Sequence, residues 1–350
     1  MIRNDIDKVI DRTKKFTTSR RGTLIQVKGI DELVCPSRPL NSFGLPDNME
    51  PYLDSLMEGF MCYWNQRKHI EDDLLPALSP WYGIAEHSAF VGGHVDFSKN
   101  TSWHHQFINT YEDMGKLSLD ENNIYLKLVI DGLKYIKEKA DDRFFIRYRG
   151  ADGPMDIANV VRGNDIFYDI YEEPEMLKEL MDFCQKAVLF TLTRQKEIID
   201  VVDGGVITGF GVWLEGNSIG HISEDASTMI SPEQFSEFGK PYTEKVTSQF
   251  DHVFMHVHAL GAHNLPLIAS IDKIDNIEIS NDPNCKRAIE IYKDFEEVLK
   301  DKTVIVNLTN QEVKENLEFL KNHKTIIWYD AATVKDAVET VSLVRTLGYE

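Results

Sequence analysis

The sequence predicts an α/β fold, a (β/α)₈ TIM barrel formed by one domain over residues 1–350. From about residue 140 onward, short β-branched segments alternate with longer amphipathic segments, which is typical of parallel strands joined by helices. No GxGxxG motif follows the first predicted strand, which argues against an open dinucleotide-binding sheet. The number of predicted strands favours closure of the sheet into a barrel.

Seven segments have the composition of buried strands, and an eighth strand is expected between residues 80 and 97. The seven are residues 23–27, 144–148, 206–213, 253–257, 277–279, 303–306 and 325–329. Capping boxes predict helices that begin after Ser231 and Thr309. The Glu173-Pro174-Glu175 segment begins a long helix that extends to about residue 200.

Residues 30–120 fit this alternation poorly. They are rich in aromatic, histidine, glycine and proline residues. Long irregular segments in folded proteins usually have a functional role. We therefore expect an elaborated N-terminal segment that covers the barrel mouth and includes a helix over about residues 50–73.

Composition and charge exclude several classes of partner. Acidic residues outnumber basic ones, 57 to 38, and the formal net charge of -19 argues against binding of nucleic acid. No segment is apolar over the length of a bilayer, and the N-terminus lacks the apolar stretch of a signal peptide. The four cysteines form no CxxC pair. We expect a cytoplasmic protein without a membrane partner, and the sequence leaves a homodimer open.

Polar residues follow several predicted strands, where a barrel gathers its active-site residues. Carboxylates and imidazoles in such places suit acid–base or metal chemistry. Arg147 and Arg149 share one face of a strand and suit a substrate carboxylate or phosphate, although salt bridges with the acidic surface are an equal alternative. The candidate catalytic residues are Arg147, Arg149, Glu215, Asp225 and His258. The candidates for contact with a substrate are Glu86, His87, Trp103, His104, Trp213 and Tyr329.

The densest group of candidate metal ligands lies in residues 254–263. His256 and His258 point the same way because a strand alternates its faces. Together with His263 they predict a site for zinc or another divalent metal, to which Glu215 or Glu278 could add an oxygen ligand. In the alternative interpretation, these histidines only form hydrogen bonds with the backbone or with carboxylates.

Several motifs resemble those of the uroporphyrinogen decarboxylase superfamily. Residues 153–175 are similar to its "GP…A…G…D.YEDPE" block, residues 224–242 to its "D…SPE.F.EF..PY" block, and residues 258–261 to its "HxCG" strand end. The resemblance extends over roughly residues 80–345. It implies a (β/α)₈ barrel and one of two activities, decarboxylation or zinc-dependent, cobalamin-linked methyl transfer.

Two departures from the family narrow this expectation. The arginine-rich RQAGRY motif of true uroporphyrinogen decarboxylases is replaced by residues 19–22, and no aspartate lies in an FSD-like context, so we do not expect that activity. Leu260 stands where the zinc-binding methyltransferases have a cysteine, and residues 326–330 contain no cysteine. The resemblance then implies a site of histidines and carboxylates, which suits an oxygen ligand better than a thiol.

The resemblance implies an enzyme that acts on a small organic substrate. We expect methyltransferase-like group transfer with a corrinoid protein as the methyl carrier. In that scheme His256, His258 and His263 hold the metal, and Arg147 and Arg149 orient an anion. One alternative is a decarboxylase, in which a carboxylate or imidazole protonates the carbanion left by CO₂. Another is a non-catalytic protein that binds a small molecule in the barrel.

Overall fold

Strands and helices alternate along most of the chain in a computed structural model that describes residues 1–348. The strands are β1 (Gly22–Ile30), β2 (Ala77–Leu78), β3 (Val95–Phe97), β4 (Ser102–His104), β5 (Phe145–Ile146), β6 (Ala151–Asp152), β7 (Val201–Val202), β8 (Gly205–Ile207), β9 (Trp213–Glu215), β10 (Ile219–Ser223), β11 (Val253–Val257), β12 (Ile274–Ile279), β13 (Thr303–Asn307) and β14 (Lys324–Ala331). The helices are α1 (Ile6–Thr18), α2 (Glu50–Arg67), α3 (Ile124–Ala140), α4 (Pro154–Arg162), α5 (Asp165–Glu172), α6 (Pro174–Lys196), α7 (Pro232–Phe238), α8 (Lys240–Thr247), α9 (Leu265–Ala269), α10 (Ala288–Asp294), α11 (Glu296–Leu299), α12 (Asn310–Glu315), α13 (Leu317–Asn322) and α14 (Val334–Arg345). Within residues 1–348, no helix combines the length and the apolar character that crossing a bilayer requires.

One parallel sheet of seven strands is the centre of the fold. Its order is β1-β14-β13-β12-β11-β10-β6, and every adjacent pair is parallel. Ser223 lies in register with His256, which in turn lies in register with Glu278. The parallel α/β architecture predicted from the sequence is confirmed to this extent, with helices packed along the sheet.

The two faces of the sheet pack into different cores. In β13, Val304, Ile305 and Val306 are all fully buried. Ile305 packs with Phe254 and Trp328 in one apolar cluster, whereas its neighbours Val304 and Val306 belong to a larger cluster with the helices. Strands buried on both faces contain continuous β-branched runs, which is why the sequence reveals them so clearly.

The segment around residues 206–213 differs from the prediction. It contains β8 and part of β9, which pair antiparallel with each other, and the strand that joins the main sheet is the later β10. A turn at Gly211 breaks the apolar run, since the residue has a φ of +81° and its amide donates to the carbonyl of Thr208 at 2.9 Å. The strand expected between residues 80 and 97 is not a parallel one, because β3 lies there and pairs antiparallel with β4. The short strand β2, which is parallel to β5, precedes that range.

Residues 30–120 are mostly irregular, as predicted, but α2 ends at Arg67 instead of continuing to residue 73. Beyond the helix, Asp72 is buried and accepts hydrogen bonds from Arg67 at 2.6 Å, Arg3 at 2.9 Å and the Val27 amide at 2.8 Å. The next residue, Asp73, accepts from the Ile25 amide at 2.9 Å. These buried carboxylates attach the irregular segment to β1.

We expect Asp72→Ala to lower the free energy of unfolding by about 3–5 kcal/mol, because it leaves the buried guanidinium of Arg67 without its carboxylate. Urea unfolding followed by far-UV circular dichroism measures this loss. Asp131→Ala is the control, since it removes an exposed ion pair with Lys134 and should cost less than about 1 kcal/mol. Equal losses for the two variants would contradict the assigned role of Asp72.

Candidate active site

A cavity of about 490 Å³ opens at the edge of the sheet where the parallel strands end. From the sheet and the residues that directly follow its strands, it is lined by Asp152, His221, Ser223, His256 and His258. From the other segments, it is lined by Trp81, His87, Trp103, His104, Arg149, Asp156, Phe210 and Asp225. The irregular N-terminal segment therefore forms one wall of this cavity and the sheet forms the other.

Two imidazoles and a carboxylate converge in this cavity. The Nε2 atoms of His256 and His258 are 3.4 Å apart, and an Asp225 oxygen lies 3.3 Å from Nε2 of His258. The candidate ligand atoms of all three residues lie within 4.8 Å of one another. The alternation of β11 turns both imidazoles to the same side, and the short 3-10 helix that begins at Asp225 brings the carboxylate from the end of β10.

Each imidazole also forms a hydrogen bond, through its Nδ1 atom, with a second carboxylate. Nδ1 of His256 forms a hydrogen bond with Glu278 on the neighbouring strand β12. Nδ1 of His258 lies 2.7 Å from Oδ1 of Asp282, whose other oxygen accepts from the Leu260 amide at 3.0 Å. A proton held on each Nδ1 leaves the Nε2 lone pairs directed at a common point, which is the usual arrangement of histidines that bind a metal ion.

The cluster contains more negative than positive charge. The carboxylates of Asp225, Glu278 and Asp282 surround the two imidazoles. The hydrogen bond with Asp225 raises the pKa of His258 to about 9. Burial disfavours the charged form of His256, but the hydrogen bond with Glu278 and the charges of Glu278 and Asp225 together outweigh burial and raise the pKa of His256. The surroundings therefore stabilise a cation at the Nε2 atoms, whether protons or a metal ion.

The donor set fits a divalent cation such as zinc. Catalytic zinc sites commonly have three protein ligands and keep a fourth position for water or substrate. His256, His258 and Asp225 supply two nitrogen atoms and one oxygen atom, and all three line the cavity. These ligands are harder than thiolates, so the site suits an oxygen or nitrogen atom of a substrate.

The structure does not bring His263 into this cluster. Its Nε2 lies 2.9 Å from the carbonyl of Ile230, and the residue belongs to a 3-10 helix over residues 259–264. The two-residue alternation of β11 ends at His258, and the helical turn that follows directs His263 elsewhere. Asp225, and not His263, lies beside His256 and His258 as the third candidate ligand.

Glu215 and Trp213 lie away from the cavity, contrary to the prediction. Glu215 is exposed at the opposite end of the sheet, in a surface pocket with residues at the starts of β11, β12 and β14. Trp213 is buried, and its indole donates to the carbonyl of Val202 at 2.8 Å. The reason is the antiparallel pairing of β9, which the sequence analysis took as the end of a parallel strand.

Tyr329 also faces away from the cavity. Its hydroxyl donates to Asp336 on α14 at 2.5 Å, whereas its neighbour Trp328 points into the apolar interior. Strand alternation puts these two side chains on opposite faces of β14. A role for Tyr329 in contacting a substrate therefore has no geometric support.

The two arginines do not form a joint clamp. Arg149 lines the cavity, where it pairs with the buried Glu86 and lies 4.3 Å from the centroid of the Trp81 ring. Glu86 is thereby engaged behind the cavity wall and also accepts from the Tyr82 amide at 2.7 Å. Arg147 lies in a different cavity. Of the residues expected to contact a substrate, His87, Trp103 and His104 do line the main cavity.

Asp152 and His221 are two of the cavity residues that were not among the candidates from the sequence. Burial, together with Asp156 and Asp225, raises the pKa of Asp152 well above its usual range, which favours the protonated form. Burial and Arg149 lower the pKa of His221 well below its usual range, so that His221 is neutral. No apolar–polar alternation identifies β10 in the sequence, because all five of its residues are buried and they include a glycine, a histidine and a serine.

Comparison with known proteins does not assign a family. No protein-family model matches this chain, and no curated protein matches it significantly. The resemblance to the uroporphyrinogen decarboxylase superfamily stays a prediction that rests on the motifs given above.

The pH dependence of the free energy of unfolding tests the placement of His104 in the cavity wall. The ring lies 2.7 Å from the Gly92 carbonyl and 3.1 Å from the Ser88 hydroxyl, and burial lowers the pKa of His104 to about 4. An unfolded histidine titrates near 6.5, so between about pH 6.5 and pH 4 the unfolded state binds more protons and stability falls as the pH is lowered. We expect urea midpoints to fall more steeply from pH 7 to pH 5 in the wild type than in His104→Gln. Equal slopes would contradict a neutral, buried His104.

Proposed function

We propose that this chain is a divalent-metal-dependent enzyme of the uroporphyrinogen decarboxylase superfamily, which performs methyltransferase-like group transfer on a small organic substrate. The observation that carries this proposal is the convergence of the Nε2 atoms of His256 and His258 beside Asp225, at the wall of a cavity. The metal is zinc or a similar divalent ion. The methyl carrier is a corrinoid protein, as the resemblance implies.

The proposal includes a closed (β/α)₈ barrel. The parallel pair β2–β5 forms a separate two-stranded sheet, and we propose that it fills the gap between β1 and β6, the edge strands of the main sheet. The amide of Asp73, before β2, donates to the carbonyl of Ile25 on β1 at 2.7 Å. If β5 and β6 are two parts of one strand, eight parallel strands complete the ring. The cavity position then agrees with the general location of active sites in such barrels, at the carboxyl ends of the strands.

The protein residues have distinct roles in this scheme. When bound, the metal ion supplies Lewis-acid assistance to an oxygen or nitrogen atom of the substrate. His256, His258 and Asp225 hold the ion, while Glu278 and Asp282 fix the two imidazole tautomers. Trp81 and Trp103 give the N-terminal wall of the cavity an aromatic surface for the apolar part of a substrate.

Asp152 is the candidate proton donor. When a methyl group leaves a substrate oxygen or nitrogen atom for its acceptor, the electron pair of the broken bond remains on that atom, which then takes up a proton. Asp152 lines the same cavity as the proposed metal ligands, and burial raises its pKa, which favours the protonated form that a proton donor requires. His221, which is neutral in the same wall, can form a hydrogen bond with the same substrate atom.

A decarboxylase is the second candidate, and Asp152 is the observation that favours it. Loss of CO₂ leaves an electron pair on carbon, and a neutral carboxylic acid beside that carbon can protonate it. The cavity and its buried acid serve either reaction. A non-catalytic binding protein is less well supported, because binding alone does not require two imidazoles that carboxylates orient by hydrogen bonds.

We expect the purified wild-type protein to bind one zinc ion per chain, and His256→Ala and His258→Ala to weaken binding by more than about 100-fold, since loss of a direct ligand exceeds the about 10–100-fold cost of losing an outer partner. Competition with a fluorescent zinc chelator measures the affinities. His263→Ala is the matched control and should bind zinc as the wild type does, because its ring is bound to the Ile230 carbonyl. Failure of the wild type to bind zinc would remove the metal from the proposal.

Asp282→Asn should weaken zinc binding by about 10–100-fold, because Asp282 orients His258 without touching the ion. The control is Asp275→Asn, which alters a similar carboxylate–histidine pair with His252 at the opposite end of the sheet. The same chelator competition reports both affinities. If the two substitutions have the same effect, Asp282 has no special role in orienting a metal ligand.

A further inference from the structure

A second cavity, of about 270 Å³, lies between α2 and the ends of β1 and β5. Phe60, Tyr63 and Trp64 from α2 give it an aromatic wall, and Lys28 and Arg147 contribute the only charged groups among its lining residues, all of which belong to the described part of the chain. This combination of apolar walls and two cations differs from the main cavity, where carboxylates and histidines predominate.

The two cations lie close to each other. Nζ of Lys28 and Nη1 of Arg147 lie 3.6 and 3.4 Å from the position that a Cβ atom on Gly211 would occupy. Lys28 donates to the carbonyl of Phe210, and its Nζ is 4.5 Å from the centroid of the Trp328 ring. The Nε atom of Arg147 is buried and has no hydrogen-bond partner among residues 1–348.

The nearest carboxylates are engaged elsewhere. Asp72 is bound by Arg3 and Arg67, and Asp330 accepts from the Asn307 amide at 2.9 Å. Two like charges in a poorly solvated place repel each other, and a buried cation without a counter-charge is costly. In agreement, burial and Arg147 lower the pKa of Lys28 to about 7. Among the described residues, no carboxylate remains to neutralise Lys28 and Arg147.

We propose that this second cavity is a binding site for a small organic monocarboxylate, with the carboxylate between Lys28 and Arg147 and an apolar or aromatic body against Phe60 and Tyr63. A carboxylate satisfies both cations at once, since a guanidinium offers paired donors that match its two oxygens. The apolar walls select against a heavily hydrated anion, because they offer it few hydrogen-bond donors. We call this site, with its two cations and its aromatic wall, the anion seat.

Phe210 separates the anion seat from the main cavity. It lines both cavities, and its ring centroid lies 4.3 Å from that of His221 and 5.6 Å from that of His256. A carboxylate bound at Lys28 would therefore occupy the other side of a single aromatic side chain from the metal ligands. The anion seat nevertheless has its own residues, so it does not depend on the proposed metal chemistry.

Benzoate is the probe, and benzamide is a neutral control of the same shape. We expect isothermal titration of the full-length protein to show saturable binding of benzoate, and benzamide to bind at least about tenfold more weakly because it cannot neutralise the cations. Lys28→Met and Arg147→Met should each weaken benzoate binding by about tenfold or more. Lys324→Met, which alters a partly buried lysine at the opposite end of the sheet, should leave it unchanged.

Two further variants make the outcome decisive. Arg147→Lys keeps the charge and should bind benzoate more tightly than Arg147→Met, which separates loss of charge from damage to the fold. His258→Ala should bind benzoate as the wild type does, so failure of the metal site and failure of the anion seat are distinguishable. Equal binding of benzamide and benzoate, unchanged binding by both methionine variants, or no binding of benzoate up to about 10 mM would overturn the proposal.

Discussion

The parallel direction of the main sheet is the constraint on which the candidate site depends. Because neighbouring strands run the same way, β11 and β12 deliver His256 and Glu278 to the same edge in direct register. The Glu278 carboxylate therefore lies beside Nδ1 of His256, and no long loop is needed to bring it there. In an antiparallel partner strand, the residue beside His256 would come from the start of that strand and not from its end.

Two neighbouring places at this edge of the main sheet stabilise ligands of opposite charge. Around His256 and His258 the carboxylates are in excess and stabilise a cation. Around Lys28 and Arg147 the cations are in excess and favour an anion. The ring of Phe210 lies between the two places, which keeps their charges apart in a part of the molecule where solvent screens them little. The net charge of the chain, -19, gives no indication of this division.

The sequence predicted those features of the fold and of the candidate site that depend on local periodicity. The β-branched runs identified most of the main sheet, and the alternation through residues 253–257 identified the shared direction of His256 and His258. The third ligand could not be predicted in the same way, since the choice between Asp225 and His263 depends on how the turns after β10 and β11 fold against each other. Lys28 and Arg147 are even further apart in the chain, and no sequence spacing relates them.

Anomalous diffraction at the zinc edge, from crystals of the protein grown with one equivalent of zinc, would locate the bound ion. We expect one strong peak at about 2.0–2.1 Å from Nε2 of both His256 and His258 and at a similar distance from a carboxylate oxygen of Asp225. A peak elsewhere in the molecule, or no peak between these three side chains, would contradict the claim that the strand ends assemble a metal centre.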